Sequence, residues 1–167
     1  MKAGIFYGFN AGKTLGVASR IVDEFGKDQI EVNDVEDIAV EKFMSYDLII
    51  LGASTWYDGE LPSYWNEFLP ELENANLSGK KIAIFGLGNQ KGYPDNFGDA
   101  VGIFAELFES KGAQLIGFTS TEGYDFEESK ALRGKQFSGL LIDEDIQSEL
   151  TDGRVKNWIK QIKEEIN

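Results

Sequence analysis

The sequence predicts a doubly wound α/β fold, in which helices cover both faces of an open parallel sheet. Apolar runs typical of buried strands alternate with amphipathic helical patterns along all 167 residues. This alternation indicates right-handed βαβ units, because a parallel strand pair needs a crossover helix. The chain has no internal repeat and no low-complexity segment, and its length suits one domain, residues 1–167.

The first half of the chain holds three predicted strands and two predicted helices. Apolar runs predict strands at residues 2–7, 29–33 and 47–53. Helical periodicity predicts a long helix at residues 12–25 and a short one at residues 40–44. The long helix is expected to bury an apolar face formed by Leu15, Ala18, Ile21, Val22 and Phe25.

The second half continues the alternation. A helix is predicted at residues 63–73, followed by a strand at 80–87, a helix at 99–111 and a strand at 114–119. Trp65 lies on the apolar face of the first of these helices, so we expect it in the core and not at a ligand.

The last strand is predicted at residues 137–142 and the last helix at residues 151–165. Trp158 shares the apolar stripe of that helix and is expected to be a core anchor. Residues 120–136 contain glycines and mixed charges, so they are expected to form a long loop. Unstructured loops of that length are uncommon in compact domains and are often functional.

Composition excludes several classes of function. The chain has no Cys and no His, which excludes disulfides, thiolate or imidazole metal sites, and catalysis by either residue. A formal charge of −13 opposes binding to nucleic acids and to anionic membranes. Without a signal peptide or an apolar span, we expect a cytoplasmic protein that does not insert into membranes. Residues 43–79 and 137–153 contain acids but no Lys or Arg, which indicates an acidic face for a basic partner.

Three loops at predicted strand ends carry the candidate ligand-binding residues. The loop at residues 8–14 leads into a helix, whose N-terminus offers unpaired N–H groups to an anion. The loops at residues 53–60 and 86–93 contribute hydroxyls, glycines and two aromatic residues, Trp56 and Tyr93. In open parallel sheets, ligands bind beyond the carboxyl ends of the strands, where the strand order reverses. Together the loops predict a site for a flat ring that carries a phosphate.

Several separate motifs resemble one known family. They are Ser54-Thr55-Trp56, Asp58-Gly59-Glu60, Gly88-Asn89-Gln90, Gly92-Tyr93, Asp95-Asn96-Phe97, Glu122-Gly123-Tyr124-Asp125-Phe126, Ser129-Lys130-Ala131-Leu132 and Leu141-Ile142-Asp143-Glu144-Asp145. The chain is similar over nearly its whole length to long-chain flavodoxins, and most similar to the cyanobacterial type. The resemblance implies a five-stranded sheet in the order 2-1-3-4-5, with the fifth strand split by an insertion at about residues 120–136.

The resemblance also implies a function. Flavodoxins carry single electrons on non-covalently bound FMN and shuttle them between redox proteins in place of ferredoxin. We therefore expect an electron carrier and not an enzyme, with FMN as the cofactor and no metal. The expected partners are basic redox proteins such as ferredoxin–NADP reductase, and photosystem I or other ferredoxin-dependent enzymes. The carrier itself is expected to be a monomer.

The resemblance assigns the cofactor-binding residues to the three loops and the segment after the last strand. Phosphate contacts are expected from Phe9, Asn10, Ala11, Gly12, Lys13 and Thr14. Contacts to the rest of FMN are expected from Ser54, Thr55, Trp56, Tyr57, Asp58, Gly59, Leu87, Gly88, Asn89, Tyr93, Asn96 and Asp145.

Individual roles follow from the same resemblance. Trp56 and Tyr93 are expected to sandwich the flavin ring, with Tyr93 on the more exposed face. The peptide between Tyr57 and Asp58 is expected to face flavin N5, where its carbonyl can accept a hydrogen bond from the N5–H group of the reduced ring. Lys13 is expected to be a surface charge that assists phosphate binding at long range.

Other classes of protein would use some of the same residues. An FMN-dependent NAD(P)H or quinone reductase would share all three loops, but it needs access for a hydride donor beside the flavin ring. A P-loop NTPase would use Gly12-Lys13-Thr14, but Tyr7 stands where its motif requires glycine. A signalling receiver domain requires a phosphoryl-accepting Asp after the third strand, and Gly52-Ala53-Ser54 contains none.

Three positions depart from the family's usual pattern. Phe9 and Ala11 stand where flavodoxin loops usually carry hydroxyl residues, so phosphate binding is expected to depend on backbone N–H groups. Asn89 replaces an Asp that relatives often carry near the flavin, which is expected to make the second electron easier to add than in those relatives.

Overall fold

The computed structural model describes residues 1–167 and confirms the predicted parallel sheet. The nine strands are β1 (Ala3–Tyr7), β2 (Glu31–Asp34), β3 (Leu48–Ser54), β4 (Lys81–Leu87), β5 (Gln114–Ile116), β6 (Thr119–Ser120), β7 (Leu132–Arg133), β8 (Gln136–Phe137) and β9 (Leu140–Ile142). The main sheet has the order β2–β1–β3–β4–β5, with every neighbouring pair parallel, as the resemblance implied.

The edge strand beside β4 is split into two segments, as predicted. β5 pairs with residues 81–83 of β4, and β9 pairs in parallel with residues 85–87 of the same strand. The prediction that residues 120–136 form only a loop is wrong, because the insertion contains strands of its own. β6, β8 and β7 form a small antiparallel sheet in that order. This second sheet satisfies backbone groups that a bare loop would leave to solvent.

Five α-helices cover the main sheet. They are α1 (Gly12–Phe25), α2 (Val40–Met44), α3 (Ser63–Phe68), α4 (Asp99–Ser110) and α5 (Thr151–Glu165). The helix predicted at residues 63–73 changes to a 3₁₀ turn at Leu69–Leu72. Pro70 explains the early end of α3, because proline has no N–H to donate to the α-helical ladder.

The buried face of α1 differs from the predicted one. Thr14 and Val17 are buried beside the expected Ala18, Ile21 and Phe25, whereas Leu15 is 38% exposed and Val22 is only partly buried. One residue corresponds to a rotation of about 100° around a helix, so the burial of Thr14 turns its neighbour Leu15 outward.

The two predicted core tryptophans are confirmed on opposite faces of the sheet. Trp65 is fully buried among residues of α3, α4 and the sheet, and its Nε1 donates to the Gly52 carbonyl at 3.1 Å. Trp158 is 1% exposed in the layer formed with α1, and its Nε1 donates to the Gly117 carbonyl at 2.8 Å. Each indole thus has its polar atom satisfied where it is buried.

None of the helices combines the length and the apolarity that a membrane span requires.

Candidate cofactor site

One pocket lies beyond the carboxyl ends of β1, β3, β4 and β9, and its volume is about 270 Å³. Most of the predicted cofactor-binding residues line it: Ala11, Gly12, Lys13, Thr14, Ser54, Thr55, Trp56, Leu87, Gly88, Asn89, Tyr93 and Asp145. The fold therefore brings the three predicted loops and the segment after β9 together in one place. Glu144, which sequence reasoning did not select, also lines the pocket. The predicted residues outside the pocket lining are Phe9, Asn10, Tyr57, Asp58, Gly59 and Asn96.

The start of α1 has the geometry of an anion cradle. The first hydrogen bond of the helix runs from Leu15 N–H to the Ala11 carbonyl at 2.8 Å, so the N–H groups of Gly12, Lys13 and Thr14 have no acceptor within the helix. The Thr14 side chain lines the pocket, is 99% buried, and its hydroxyl makes no hydrogen bond within the protein. This hydroxyl opens into the pocket, where it can donate to a ligand oxygen. The cradle therefore fits an anion at the positive end of the helix dipole.

Two N–H groups of the predicted phosphate loop already have acceptors within the protein. Phe9 N–H donates to the Asp34 carboxylate at 3.4 Å, and Ala11 N–H donates to the Gly8 carbonyl at 3.1 Å. The Phe9 ring lies 5.1 Å from the Tyr7 ring and is 41% exposed, outside the pocket. The donors still free in this loop are those of Asn10 and of the first turn of α1.

The two hydroxyls after β3 are held with their protons available. Ser54 Oγ accepts a hydrogen bond from Trp56 Nε1 at 3.1 Å, and Thr55 Oγ1 accepts one from Ala100 N–H at 3.0 Å. A hydroxyl that accepts such a bond can still donate its own proton to a ligand oxygen.

Two aromatic residues flank the pocket. Trp56 is partly buried, and its ring packs edge-on against those of Tyr57 and Tyr64 at centroid distances of 6.3 and 6.2 Å. Tyr93 is 51% exposed, and its N–H donates to the Asn89 carbonyl at 3.0 Å. Trp56 is thus fixed in orientation by its neighbours, while Tyr93 stands on the open side.

A tight turn follows Trp56. The N–H and carbonyl groups of Trp56 and Glu60 exchange two backbone hydrogen bonds of 2.7 Å. Within the turn, Tyr57 has φ +48° and Gly59 has φ +101°, both in the region that L side chains disfavour. Asn96 lies behind the turn and donates to the Asp99 carboxylate at 3.0 Å, so its amide does not face the pocket.

The loop after β4 is held by its own backbone and by Asn89. Asn89 Oδ1 accepts hydrogen bonds from Lys91 N–H at 3.1 Å and Gly92 N–H at 2.7 Å. Gly88 N–H donates to the Ile142 carbonyl at 3.0 Å, whereas Asn89 N–H donates to no protein group. The Leu87 carbonyl accepts from Thr55 N–H at 3.1 Å. Asn89 N–H thus remains free for a ligand.

Asp143 is a buried organising residue that sequence reasoning missed. Its side chain is fully buried and accepts four hydrogen bonds: from Gln90 N–H and Gln90 Nε2, each at 2.9 Å, from Asp145 N–H at 3.1 Å, and from Ile146 N–H at 3.0 Å. These bonds join the loop after β4 to the loop after β9. The sequence signal for this role was the position of an Asp directly after the apolar strand β9. A carboxylate buried there without hydrogen-bond donors would destabilise the fold, so its position indicates that donors surround it.

Two ion pairs connect α1 to the loop after β9. The Lys13 ammonium donates to the Asp145 carboxylate, and Arg20 donates to Glu144 at 2.7 Å. The hydrogen bond to Asp145 raises the pKa of Lys13, and the hydrogen bond to Glu144 raises the pKa of Arg20. Lys13 is therefore paired with a residue at the rim of the pocket, and is not an isolated surface charge.

Comparisons with known proteins identify the family. The family model described as flavodoxin matches residues 5–158. The flavodoxin of Nostoc sp. is 48% identical over 164 residues, which cover 98% of this chain and 96% of the relative. Flavodoxin 1 of Escherichia coli is 43% identical, with 98% of this chain and 94% of the relative covered. The predicted similarity to cyanobacterial relatives is confirmed by the first of these matches.

Solved structures agree with the sequence matches. The crystal structure of Fusobacterium nucleatum flavodoxin bound to flavin mononucleotide has a TM-score of 0.92 and 32% sequence identity, and the match covers 98% of both chains. A K13G mutant of the same flavodoxin, also bound to flavin mononucleotide, has the same TM-score and identity.

Proposed function

Because this chain belongs to the flavodoxin family, we infer that it is an electron carrier that uses non-covalently bound FMN to pass single electrons between redox proteins. FMN supplies the redox chemistry when bound, and the protein binds, orients and shields it. The chain acts as a carrier and has no turnover of its own.

One observation supports this function above the others. The unpartnered hydroxyl and N–H groups at the start of α1 open into the same pocket as Trp56 and Tyr93. The anion cradle matches the phosphate of FMN, and the two aromatic faces in the same pocket match its flavin ring. The fit extends to both hydroxyls after β3, which retain protons for ligand oxygens.

The phosphate is assigned to the start of α1. The N–H groups of Asn10, Gly12 and Lys13, together with the N–H and hydroxyl groups of Thr14, hold its oxygens. Ser54 supplies a further hydroxyl nearby. The N–H groups of Phe9 and Ala11 take no direct part, because both already have acceptors within the protein.

The remaining parts of FMN are assigned to the other loops. Trp56 and Tyr93 cover the two faces of the ring, and the Leu87–Asn89 backbone binds its pyrimidine edge. Thr55 and Asp145 lie along the ribityl chain.

The turn after Trp56 is assigned to flavin N5. The peptide between Tyr57 and Asp58 faces N5, and Gly59 gives the turn its conformation. Asn96 supports this turn from behind through its hydrogen bond to Asp99.

The physiological setting is also part of the proposal. Residues 1–167 act as a single domain and a monomer in the cytoplasm. The partners are basic redox proteins such as ferredoxin–NADP reductase, with photosystem I or other ferredoxin-dependent enzymes as acceptors or donors. The acid-rich, base-free segments of the chain favour basic partners.

The proposal is tested on the purified protein. It should be yellow, contain one FMN per chain, and release FMN that becomes fluorescent only after unfolding, because stacking on Trp56 and Tyr93 quenches it. Reductive titration should add two electrons in separate one-electron steps. A colourless protein that leaves the fluorescence of added FMN unchanged would contradict the proposal. Consumption of NADPH without a partner protein would instead indicate a reductase.

A further inference from the structure

The rim of the phosphate end of the pocket carries charges of the wrong sign for its ligand. Glu144 and Asp145 both line the pocket together with Thr14 and the start of α1. A phosphate monoester brings a further charge of about −1.5 to −2. Two unneutralised carboxylates at this rim would repel it.

Each of these carboxylates is paired with a base from α1. Lys13 pairs with Asp145, 132 residues away in the chain, and Arg20 pairs with Glu144 at 2.7 Å. Lys13 and Arg20 are seven residues apart, so they lie on one face of the helix, two turns from each other. Thr151, the first residue of α5, also donates to Glu144 at 2.9 Å, so this carboxylate is held between α1 and α5.

The direct donors to an anion are other groups. The N–H groups of Gly12, Lys13 and Thr14 and the Thr14 hydroxyl are free, whereas the Lys13 ammonium is already engaged with Asp145. Extending the assignment of FMN to this pocket, we propose that Lys13 and Arg20 set the preference for a phosphorylated flavin by neutralising Asp145 and Glu144, and that the Lys13 ammonium is not itself a phosphate ligand.

The preference is measured as the ratio of riboflavin to FMN dissociation constants. Riboflavin lacks the phosphate, so any loss of ribityl or ring contacts cancels in this ratio. Lys13→Met leaves Asp145 unneutralised and should lower the ratio about two- to fivefold, the range expected for an exposed ion pair. Asp145→Asn should leave the ratio unchanged or raise it.

The double variant Lys13→Met/Asp145→Asn decides between the two roles of Lys13. Neutralisation predicts that the double variant recovers the wild-type ratio, because the rim is again uncharged at this pair. A direct phosphate contact predicts that the double variant remains as impaired as Lys13→Met. Persistence of that impairment, or an unchanged ratio in Lys13→Met, would overturn the proposal.

Two controls complete the experiment. The first control is Lys27→Met, which removes the same charge from a lysine that pairs with Asp23. Lys27 lies just beyond the C-terminal end of α1, about 20 Å from Lys13 along the helix axis, so this variant should not change the ratio. Raising the salt concentration should reduce the effect of Lys13→Met, because repulsion between exposed charges decays over about 10 Å at an ionic strength of 0.1 M and over shorter distances at higher salt. If the wild-type protein binds neither flavin, the assignment of the FMN site fails and not this inference alone.

Discussion

Glycine occupies the tightest positions around the pocket because no Cβ fits there. A Cβ at Gly8 would lie 2.6 Å from the Tyr64 ring, and one at Gly88 would lie 2.9 Å from the Phe97 ring. Gly59 is required for two reasons: its φ is +101°, and a Cβ there would lie 2.6 Å from Asp99 Oδ2. These contacts place backbone where a side chain would otherwise block the loops that line the pocket.

Gly59→Ala should therefore destabilise the protein more than backbone strain alone predicts. We expect a loss of about 2–4 kcal/mol in the free energy of unfolding, from the positive φ and the contact with the buried Asp99 carboxylate. Gly79→Ala is the matched control, because Gly79 has φ +85° but no atom within 4 Å of a Cβ. It should cost only about 1–2 kcal/mol. Urea unfolding of both variants measures the difference, and equal losses would show that the Asp99 contact is unimportant.

Ala11 and Phe9 should differ in their effect on phosphate binding. Ala11 lines the pocket, so Ala11→Thr adds a hydroxyl that can donate to the phosphate and should tighten FMN severalfold, with riboflavin nearly unchanged. Phe9 lies outside the pocket against Tyr7, so Phe9→Thr should change the affinity for FMN by less than about twofold. Fluorescence titration with both flavins tests this. A larger gain from Phe9→Thr than from Ala11→Thr would contradict the geometry.

Asn89 offers a test of local electrostatics on the flavin. Its Oδ1 accepts two backbone N–H groups, a role that an Asp carboxylate can keep while adding a negative charge. Asn89→Asp should lower the midpoint potential for the second electron by tens of millivolts, about the effect of one partly screened charge. Redox titration measures the potential, and Lys91→Ala tests whether a change in loop charge outside the pocket lining has the same effect.

At the scale of elements, the insertion is an ordered part of the structure. Its Tyr124 hydroxyl donates to the Leu141 carbonyl in β9 at 2.6 Å, and Phe126 and Phe137 pack on Phe97 with centroid distances of 5.4 and 6.1 Å. Burial raises the pKa of Tyr124 to about 12, an effect that Arg154 opposes and Asp143 reinforces. The insertion is thus anchored to the main sheet by a partly buried phenol that donates its proton to β9.

Tyr124 should make stability depend on pH in the alkaline range. The ordinary pKa of tyrosine is 10.0, so between pH 10 and about 12 the unfolded state loses a proton that the folded state keeps. The free energy of unfolding should therefore fall as pH rises through this range. Tyr124→Phe should cost about 1 kcal/mol at pH 8 through the lost hydrogen bond, and the difference from wild type should shrink above pH 10. Denaturant unfolding across this range measures both effects, and a constant difference would contradict the raised pKa.

At the scale of the whole molecule, charge dominates. The chain has 29 acidic and 16 basic residues. Bases near the pocket form ion pairs within the protein, such as Lys13–Asp145 and Arg20–Glu144. The surface around the phosphate end therefore offers few free positive charges to a partner. An acidic protein of this kind steers basic partners over distances of about a Debye length.

Electron transfer to or from a basic reductase should slow as salt increases. Screening shortens the range of attraction to about 8 Å at physiological ionic strength. The association rate should therefore fall steadily as the salt concentration rises above the physiological value. Stopped-flow measurement of the bimolecular rate at several salt concentrations tests this, with a small uncharged oxidant as the control for effects on the flavin itself. A rate independent of ionic strength would contradict an acidic docking face and leave the FMN assignment intact.

Local patterns in the sequence were sufficient to predict the parallel sheet, the helices α1 and α5, and most of the residues that line the pocket. The reason is that burial imposes a periodicity of 2 or 3.6 residues, and parallel strands must end at a common edge. The loops following β1, β3 and β4 could therefore be placed together before any distance was known. The motifs that resemble the flavodoxin family then indicated what the loops bind.

Tertiary structure alone decided the features that depend on contacts between distant parts of the chain. The pairing of Lys13 with Asp145 and the burial of Asp143 against Gln90 join segments 132 and 53 residues apart. The small sheet of the insertion and the outward turn of Leu15 likewise depend on which neighbours pack nearby. Such contacts leave no periodic trace in the sequence, because their free energy comes from burial and charge pairing that exist only after the elements have docked.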